Sequence, residues 1–174
     1  MAVGEILLDE ADYLFVSDKK KTAELVIAYI YKKLLNEAQA RNEEVESFSS
    51  TLSFACLNKT NGKILTFVVG DSLIYSVSDT TFEIAGSPVL PEEGGTFTTT
   101  TQGVEDFVDV NIFSSEDYLR FVLCTDGAWR TFYKNGVLCD EVFDLMKSKD
   151  IKHIEKYFDL QENFDDCSCI IIDV

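Results

Sequence analysis

The spacing of apolar residues first separates one long helix from the rest of the chain. Over residues 20–44 apolar side chains recur at helix-like steps, and Lys, Glu and Gln fill the positions between them. This spacing predicts an amphipathic helix whose apolar stripe packs on the core. The stripe consists of Leu25, Ile27, Ile30, Leu34 and Ala38.

Short apolar runs separated by turn residues predict strands in most of the remaining chain. Asn61-Gly62 lies between the apolar runs 50–57 and 63–69, and this dipeptide is typical of a tight hairpin. Further strands are predicted at residues 73–77, 81–84, 107–113, 119–125 and 168–174. The last of these is continuously apolar at its centre, so we expect a fully buried strand.

Three other kinds of segment complete the pattern. Residues 5–8 and 13–17 predict a short hairpin, and the residues around both prolines, 85–101, predict a long surface loop. Two short helices are predicted at 140–147 and 150–158. Because helices and strands are segregated rather than alternating, the pattern indicates an α+β fold with antiparallel sheets covered by helices.

Composition favours a single folded domain over residues 1–174. The 174 residues suit one domain, and 46% hydrophobic content supports a buried core. No apolar run approaches the roughly 18 residues that span a bilayer, and the first residues lack the features of a signal peptide. We therefore expect a cytoplasmic protein. The odd number of cysteines, five, predicts reduced thiols rather than a disulfide framework.

The charge of the chain excludes several classes of partner. Asp and Glu outnumber Lys and Arg by 31 to 15, which gives a net charge of −16. Such a chain is a poor ligand for nucleic acid or for an anionic membrane, so we expect neither as a partner. A phosphorylated substrate would also be repelled unless a bound metal ion reversed the local field.

Three aspartates at the ends of predicted strands are candidate metal ligands. Asp71, Asp126 and Asp165 each follow or precede an apolar run, so carboxylates from different strands can meet at one edge. Oxygen-rich clusters of this kind suit hard cations such as Mg²⁺ or Mn²⁺. The alternative is that each aspartate only shapes a turn, because Asp-Gly and Asp-Ser are ordinary turn sequences.

The residues around these aspartates form motifs in a characteristic order. Gly70-Asp71-Ser72 ends a predicted strand pair, Thr125-Asp126-Gly127 is followed by Trp129, and Asp165-Asp166-Cys167-Ser168 introduces the last strand. Ser50-Thr51-Leu52 stands at the start of an earlier strand. In this order the motifs resemble those of the metal-dependent protein phosphatases of type 2C, and the chain looks like a shortened, divergent member.

The resemblance implies both a fold and an activity. The fold is a two-layer antiparallel β-sandwich flanked by helices. The activity is metal-dependent hydrolysis of phosphomonoesters by activated water, on serine or threonine of a phosphorylated protein. The cofactors are two Mn²⁺ or Mg²⁺ ions, with a third ion as an open alternative. Asp18, Asp126 and Asp165 are then the catalytic metal ligands, Glu10 is a weaker candidate ligand, and Asp71 is auxiliary.

Departures from the family pattern leave two other interpretations open. The family has a phosphate-binding arginine near its N-terminus, but this chain has no arginine before Arg41, and a second long helix is missing. Lys19, which replaces the glycine after Asp18, is the candidate phosphate-binding residue instead. The first alternative is a catalytically inactive, phosphatase-like binding or regulatory module (a pseudophosphatase). The second is an unrelated acidic α+β domain.

Overall fold

A computed structural model describes residue 4 and residues 11–15, 18–148, 150–161 and 165–174. The α-helices are α1 (Ala11–Leu14), α2 (Lys19–Arg41), α3 (Asp126–Arg130), α4 (Asp140–Lys147) and α5 (Ile151–Asp159). The strands are β1 (Leu52–Asn58), β2 (Lys63–Val69), β3 (Leu73–Val77), β4 (Phe82–Gly86), β5 (Asp109–Ser114), β6 (Arg120–Cys124), β7 (Tyr133–Lys134), β8 (Val137–Leu138) and β9 (Cys169–Asp173). Single 3₁₀ turns are found at Val45–Phe48, Val104–Phe107 and Ser115–Asp117.

Two antiparallel sheets form the centre of the molecule. The first has the strand order β1-β2-β5, and the second has the order β4-β3-β6-β9. Strands β7 and β8 form a separate small hairpin. Each of these strand pairs is antiparallel. The predicted fold class, an α+β two-layer antiparallel β-sandwich flanked by helices, is therefore confirmed.

Alternation of side chains along the central strands builds four layers. In β2, Leu65 and Phe67 face α2, whereas Ile64 and Val68 pack between the two sheets. This is the period of two that a strand imposes on its side chains. Strand β2 is buried on both faces because α2 covers the first sheet and the second sheet lies beneath it.

The outer face of the second sheet packs on the C-terminal helices. Tyr75 of β3 and Val122 of β6 belong to the same buried cluster as Phe132 and Met146. The ring centroids of Tyr75 and Phe132 are 5.7 Å apart, a separation typical of packed aromatic side chains. Helices α3, α4 and α5 therefore form the fourth layer, opposite α2.

Helix α2 follows the predicted stripe and ends three residues earlier than predicted. Ile27, Ile30 and Ala38 are buried as expected. The helix ends at Arg41 because Asn42 adopts a left-handed conformation, with φ of 55°, and its N–H caps the last carbonyl groups.

Two sequence predictions about the ends of the chain are wrong. Residues 11–14 form a helix instead of part of a hairpin, and the adjacent Leu14 and Phe15 are both buried, which alternation along a strand does not produce. Residues 5–8 lie outside the described part of the chain. Among the described strands, β9 lies at the edge of its sheet and pairs with β6 alone, and Ile170 is 61% exposed rather than buried.

A buried arginine anchors strand β9 and the end of α4 to β6. Arg120 donates hydrogen bonds to the carbonyl oxygens of Met146 and Ser148, at 2.9 and 2.7 Å. Its guanidinium group also pairs with Asp173 at 2.8 Å. One side chain thus holds two elements in place at the end of β6 away from Asp126.

All five cysteines lie among the described residues and none of them forms a disulfide; Cys124 is buried and the other four are partly buried. Within the described residues, no helix combines the length and apolar character that crossing a membrane requires.

Gly70 is expected to be indispensable at the end of β2. Its φ is +110°, and a β-carbon there would overlap Cγ2 of Thr51. We expect backbone strain in Gly70→Ala to lower the free energy of unfolding by about 1–3 kcal/mol. The clash with Thr51 should lower it further. Gly94→Ala is the control, because Gly94 has φ of +86° and open space around it. Urea denaturation followed by circular dichroism measures both. Equal losses would show that the contact with Thr51 has no cost.

Candidate functional site

The turn after β6 places Asp126 at the first position of helix α3. Its Oδ1 accepts a hydrogen bond from the Gly127 N–H at 2.8 Å. Its Oδ2 lies 3.1 Å from Nη2 of Arg130, one helical turn later. The Asp126 side chain is 22% exposed. The carboxylate is therefore oriented by its own helix but still reaches solvent.

The segment before β9 lies directly beside this turn. The N–H of Thr125 donates to the carbonyl oxygen of Ser168 at 3.1 Å, and the N–H of Ser168 donates to Oγ1 of Thr125 at 3.0 Å. Asp165 is exposed, and its Oδ1 accepts the N–H of Asp166 at 2.8 Å. The pairing of β6 with β9 thus continues into the two acidic turns.

Gly127 permits the closest contact between these turns. A β-carbon at this position would lie 2.5 Å from the carbonyl oxygen of Asp166 and 3.2 Å from Cβ of Asp165. Because real β-carbons do not approach backbone oxygens so closely, only glycine fits here. The absent side chain allows Asp126 and Asp165 to lie on touching segments.

A thiol beside the turns responds to their combined negative charge. Burial raises the pKa of Cys167 above the ordinary value for a cysteine. The carboxylates of Asp165, Asp166 and Asp126 raise it further, since each disfavours a thiolate nearby. The three acidic side chains therefore act on one small region of the surface.

The Gly70-Asp71-Ser72 turn is attached to the same helix. Nε1 of Trp129 donates to the backbone oxygen of Asp71 at 2.9 Å. The Asp71 carboxylate itself accepts a hydrogen bond from Oγ1 of Thr96 at 3.3 Å. The structure thus joins the segments of all three strand-end aspartates around α3.

Asp18 and Lys19 have other partners. Asp18 is the N-cap of α2, and its Oδ1 accepts the Lys21 N–H at 3.0 Å, a bond that lowers the pKa of Asp18. Nζ of Lys19 donates to Oδ1 of Asn111 at 2.6 Å. In the part of the chain that the structure describes, no hydrogen bond or ion pair joins Asp18 to Asp126 or Asp165. Their shared metal site remains a prediction.

The chemistry of the donors fits a hard divalent cation, although the full ligand set is not assembled among the described residues. Asp126 and Asp165 offer carboxylate oxygens on neighbouring segments, which Mg²⁺ and Mn²⁺ prefer. No group of three or more His, Cys, Asp or Glu side chains in the described ranges is placed to hold a metal ion. Glu10, the weaker candidate ligand, lies outside those ranges.

A cleft of about 850 Å³ opens next to the acidic turns. Its lining residues come from α3, the β7–β8 hairpin, α4, α5 and the segment before β9; they include Arg130, Tyr133, Lys134, Glu141, Tyr157 and Asp165. Arg130 was not predicted from the sequence. The spacing of four residues between Asp126 and Arg130 is the signal that could have revealed it, had a helix been expected there.

Comparison with known proteins identifies the family. The model of the family described as "Protein phosphatase 2C" matches residues 2–160. The chain belongs to this family. The resemblance seen in the sequence motifs is therefore confirmed. The matched range ends before Asp165, so the role of that aspartate is still a prediction.

Solved structures of type 2C phosphatases share the fold. The catalytic domain of the serine/threonine protein phosphatase PstP, in complex with two manganese ions, is 14% identical with a TM-score of 0.64; the match covers 98% of this chain and 75% of that one. Stp1 from Staphylococcus aureus is 18% identical with a TM-score of 0.58, covering 86% of this chain and 65% of its own. A bacterial serine phosphatase is 19% identical with a TM-score of 0.59, covering 84% and 66%.

The chain thus spans slightly less than two thirds of the length of Stp1 and of the bacterial serine phosphatase. A comparison with curated protein sequences finds no significant match. The family model shows the family, and the solved structures show that the fold is shared.

Replacing Gly127 should separate the acidic turns. We expect Gly127→Ala to lower the melting temperature and to weaken Mn²⁺ binding, because the new methyl group pushes on the backbone of Asp166. Calorimetric titration and thermal melting measure the two effects. Gly103→Ala is the control for Mn²⁺ affinity: its φ of +72° adds backbone strain that lowers the melting temperature, but its β-carbon would meet nothing within 4 Å and it lies outside both turns. Unchanged Mn²⁺ affinity in a folded Gly127→Ala protein would contradict the role assigned to this contact.

Proposed function

We propose that this chain is a metal-dependent phosphomonoesterase that removes phosphate from serine or threonine residues of proteins. The observation that supports this most directly is the packing of Gly127 against the 165–166 backbone, within a chain of the type 2C family. That packing sets Asp126 and Asp165 on touching segments beside an open cleft. A single domain over residues 1–174 and a cytoplasmic location belong to the same proposal.

The proposed metal site uses Mn²⁺ or Mg²⁺, held by Asp126 and Asp165. Asp18 and Glu10 are the further proposed ligands, and Asp71 has an auxiliary role. When bound, the cations lower the pKa of a water molecule and offset the negative charge of the phosphoryl group. The second effect matters in a protein with a net charge of −16, since an anionic substrate would otherwise be repelled.

The residues around the proposed site have distinct tasks in this account. The Gly127 N–H fixes one oxygen of Asp126 and so orients the carboxylate. Thr96 holds one oxygen of Asp71 in a similar way. Lys19, the candidate phosphate-binding residue from the sequence, donates a hydrogen bond to Asn111. A neutral donor leaves a carboxylate its charge and its remaining lone pairs for a cation.

One contact favours the alternative, a phosphatase-like module without catalysis. Arg130 already pairs with Asp126 at 3.1 Å, so a side-chain cation neutralises a proposed metal ligand. A cation must displace or share this arginine before it can bind Asp126. If Arg130 keeps the carboxylate, the fold serves to bind a partner protein.

Asp126→Asn tests the enzyme proposal. The amide keeps the shape of the side chain but removes a ligand charge. We expect hydrolysis of p-nitrophenyl phosphate in saturating Mn²⁺ to fall about 100-fold or more, because each loss of about 1.4 kcal/mol in transition-state stabilisation slows the reaction tenfold. Asp166→Asn is the matched control and should retain most activity. Circular dichroism of each variant checks that the fold is intact.

Two outcomes would count against the enzyme. The first is an unmutated protein that shows no turnover above buffer with either p-nitrophenyl phosphate or a phosphoserine peptide. The second is an Asp126→Asn protein that is as active as Asp166→Asn. In the first case the binding module becomes the function that the fold supports.

A further inference from the structure

We propose that Arg130 binds the phosphate group of the substrate, at the mouth of the cleft beside Asp126. This rests on the proposed function, because it assumes that the ligand is a phosphorylated molecule. From the sequence alone, Lys19 is the candidate for this role, because it follows Asp18 and replaces a glycine of the family. The structure offers a cation that is better placed.

The position of Arg130 is fixed on two sides. Nη2 pairs with Oδ2 of Asp126 at 3.1 Å. The guanidinium carbon lies 5.6 Å from the centroid of the Trp129 ring, within the range of a cation–π contact. Trp129 is itself tied to the backbone of Asp71. These contacts hold the guanidinium group next to the acidic turns.

The rest of the guanidinium group is available to a ligand. Across the described residues, Arg130 makes no other hydrogen bond or ion pair than the one to Asp126. Its side chain is 60% exposed, and it lines the cleft. A guanidinium group has five N–H donors, so most of them remain unused by the protein.

The chemistry of the cleft suits a phosphorylated peptide. A guanidinium fork matches the spacing of phosphate oxygens and binds them through charge-assisted hydrogen bonds. Lys134 lines the same cleft and adds a second positive charge. Tyr133 and Tyr157 also line it, and their rings offer partly apolar walls to the residues beside the phosphate. A phosphate bound here would lie beside Asp126 and Asp165, where the proposed cations are held.

Lys19 lacks these features. Its ammonium group is engaged by Asn111 of β5, in the first sheet, and it is not among the residues that line the cleft. A lysine also binds phosphate as a point charge, without the bidentate geometry of arginine. The two cations therefore give opposite expectations in the same experiment.

Calorimetric titration with inorganic phosphate, in Mg²⁺ that saturates each variant, tests the proposal without requiring turnover. We expect Arg130→Ala to weaken phosphate binding about 10- to 100-fold, the usual effect of losing hydrogen bonds to a charged group. Arg130→Lys should recover part of the loss, because the charge returns without the fork. Arg41→Ala is the matched control: Arg41 also pairs with a carboxylate one helical turn away and lies over an aromatic ring, so its loss should leave phosphate binding within about twofold of the unmutated protein. Lys19→Ala should lose less affinity than either Arg130 variant. Thermal melting of each variant verifies folding.

The outcomes separate this proposal from the proposed function. Phosphate binding by folded Arg130→Ala or Arg130→Lys that equals that of the unmutated protein would overturn the role of Arg130, even if the enzyme is active. The role of Arg130 would also be overturned if Lys19→Ala lost more phosphate affinity than either Arg130 variant. The same holds if the unmutated protein binds no phosphate. Absent turnover combined with a loss confined to the Arg130 variants would refute the enzyme and leave Arg130 as the phosphate ligand of a binding module.

Discussion

The antiparallel pairing of β6 with β9 is the constraint on which the candidate site depends. The register sets Cys124 opposite Cys169, so the residues just beyond these strand ends, Thr125 and Ser168, face each other and exchange hydrogen bonds. Asp126 and Asp165 follow at the same edge of the sheet although they are 39 positions apart in the chain. At the other end of β6, buried Arg120 fixes the register through Asp173.

Negative charge is concentrated at this edge, and the local packing determines which groups lie close enough to offset it. A side chain at position 127 would push the two acidic turns apart, and glycine lets them touch. Burial and the combined negative charge of Asp165, Asp166 and Asp126 raise the pKa of Cys167. Arg130 offsets part of that charge through its ion pair with Asp126. The same side chain thus links the electrostatics of the proposed metal site to the cleft beside it.

Sequence patterns were sufficient for the layers but not for the short elements that shape the site. Strands such as β2 and β6 are nearly continuous apolar runs, and Asn61-Gly62 marks the β1–β2 hairpin, so the sandwich was predictable. Helix α3 has only five residues, too few for a helical period to be visible, and the position of Arg130 depends on it. The exposure of β9 was not predictable either, because a run of isoleucines does not reveal whether a strand lies at the centre or the edge of a sheet.

The central claim is that the turns at 125–128 and 165–168 form one cation site. Amide NMR spectra recorded during a titration with paramagnetic Mn²⁺ test it most directly, since bound Mn²⁺ broadens the signals of nearby nuclei. We predict that amide signals from both turns disappear together at the lowest Mn²⁺ concentrations, before those of exposed acidic residues such as Glu43 or Asp117. Broadening of only one turn, or of the exposed acidic surface first, would contradict the account.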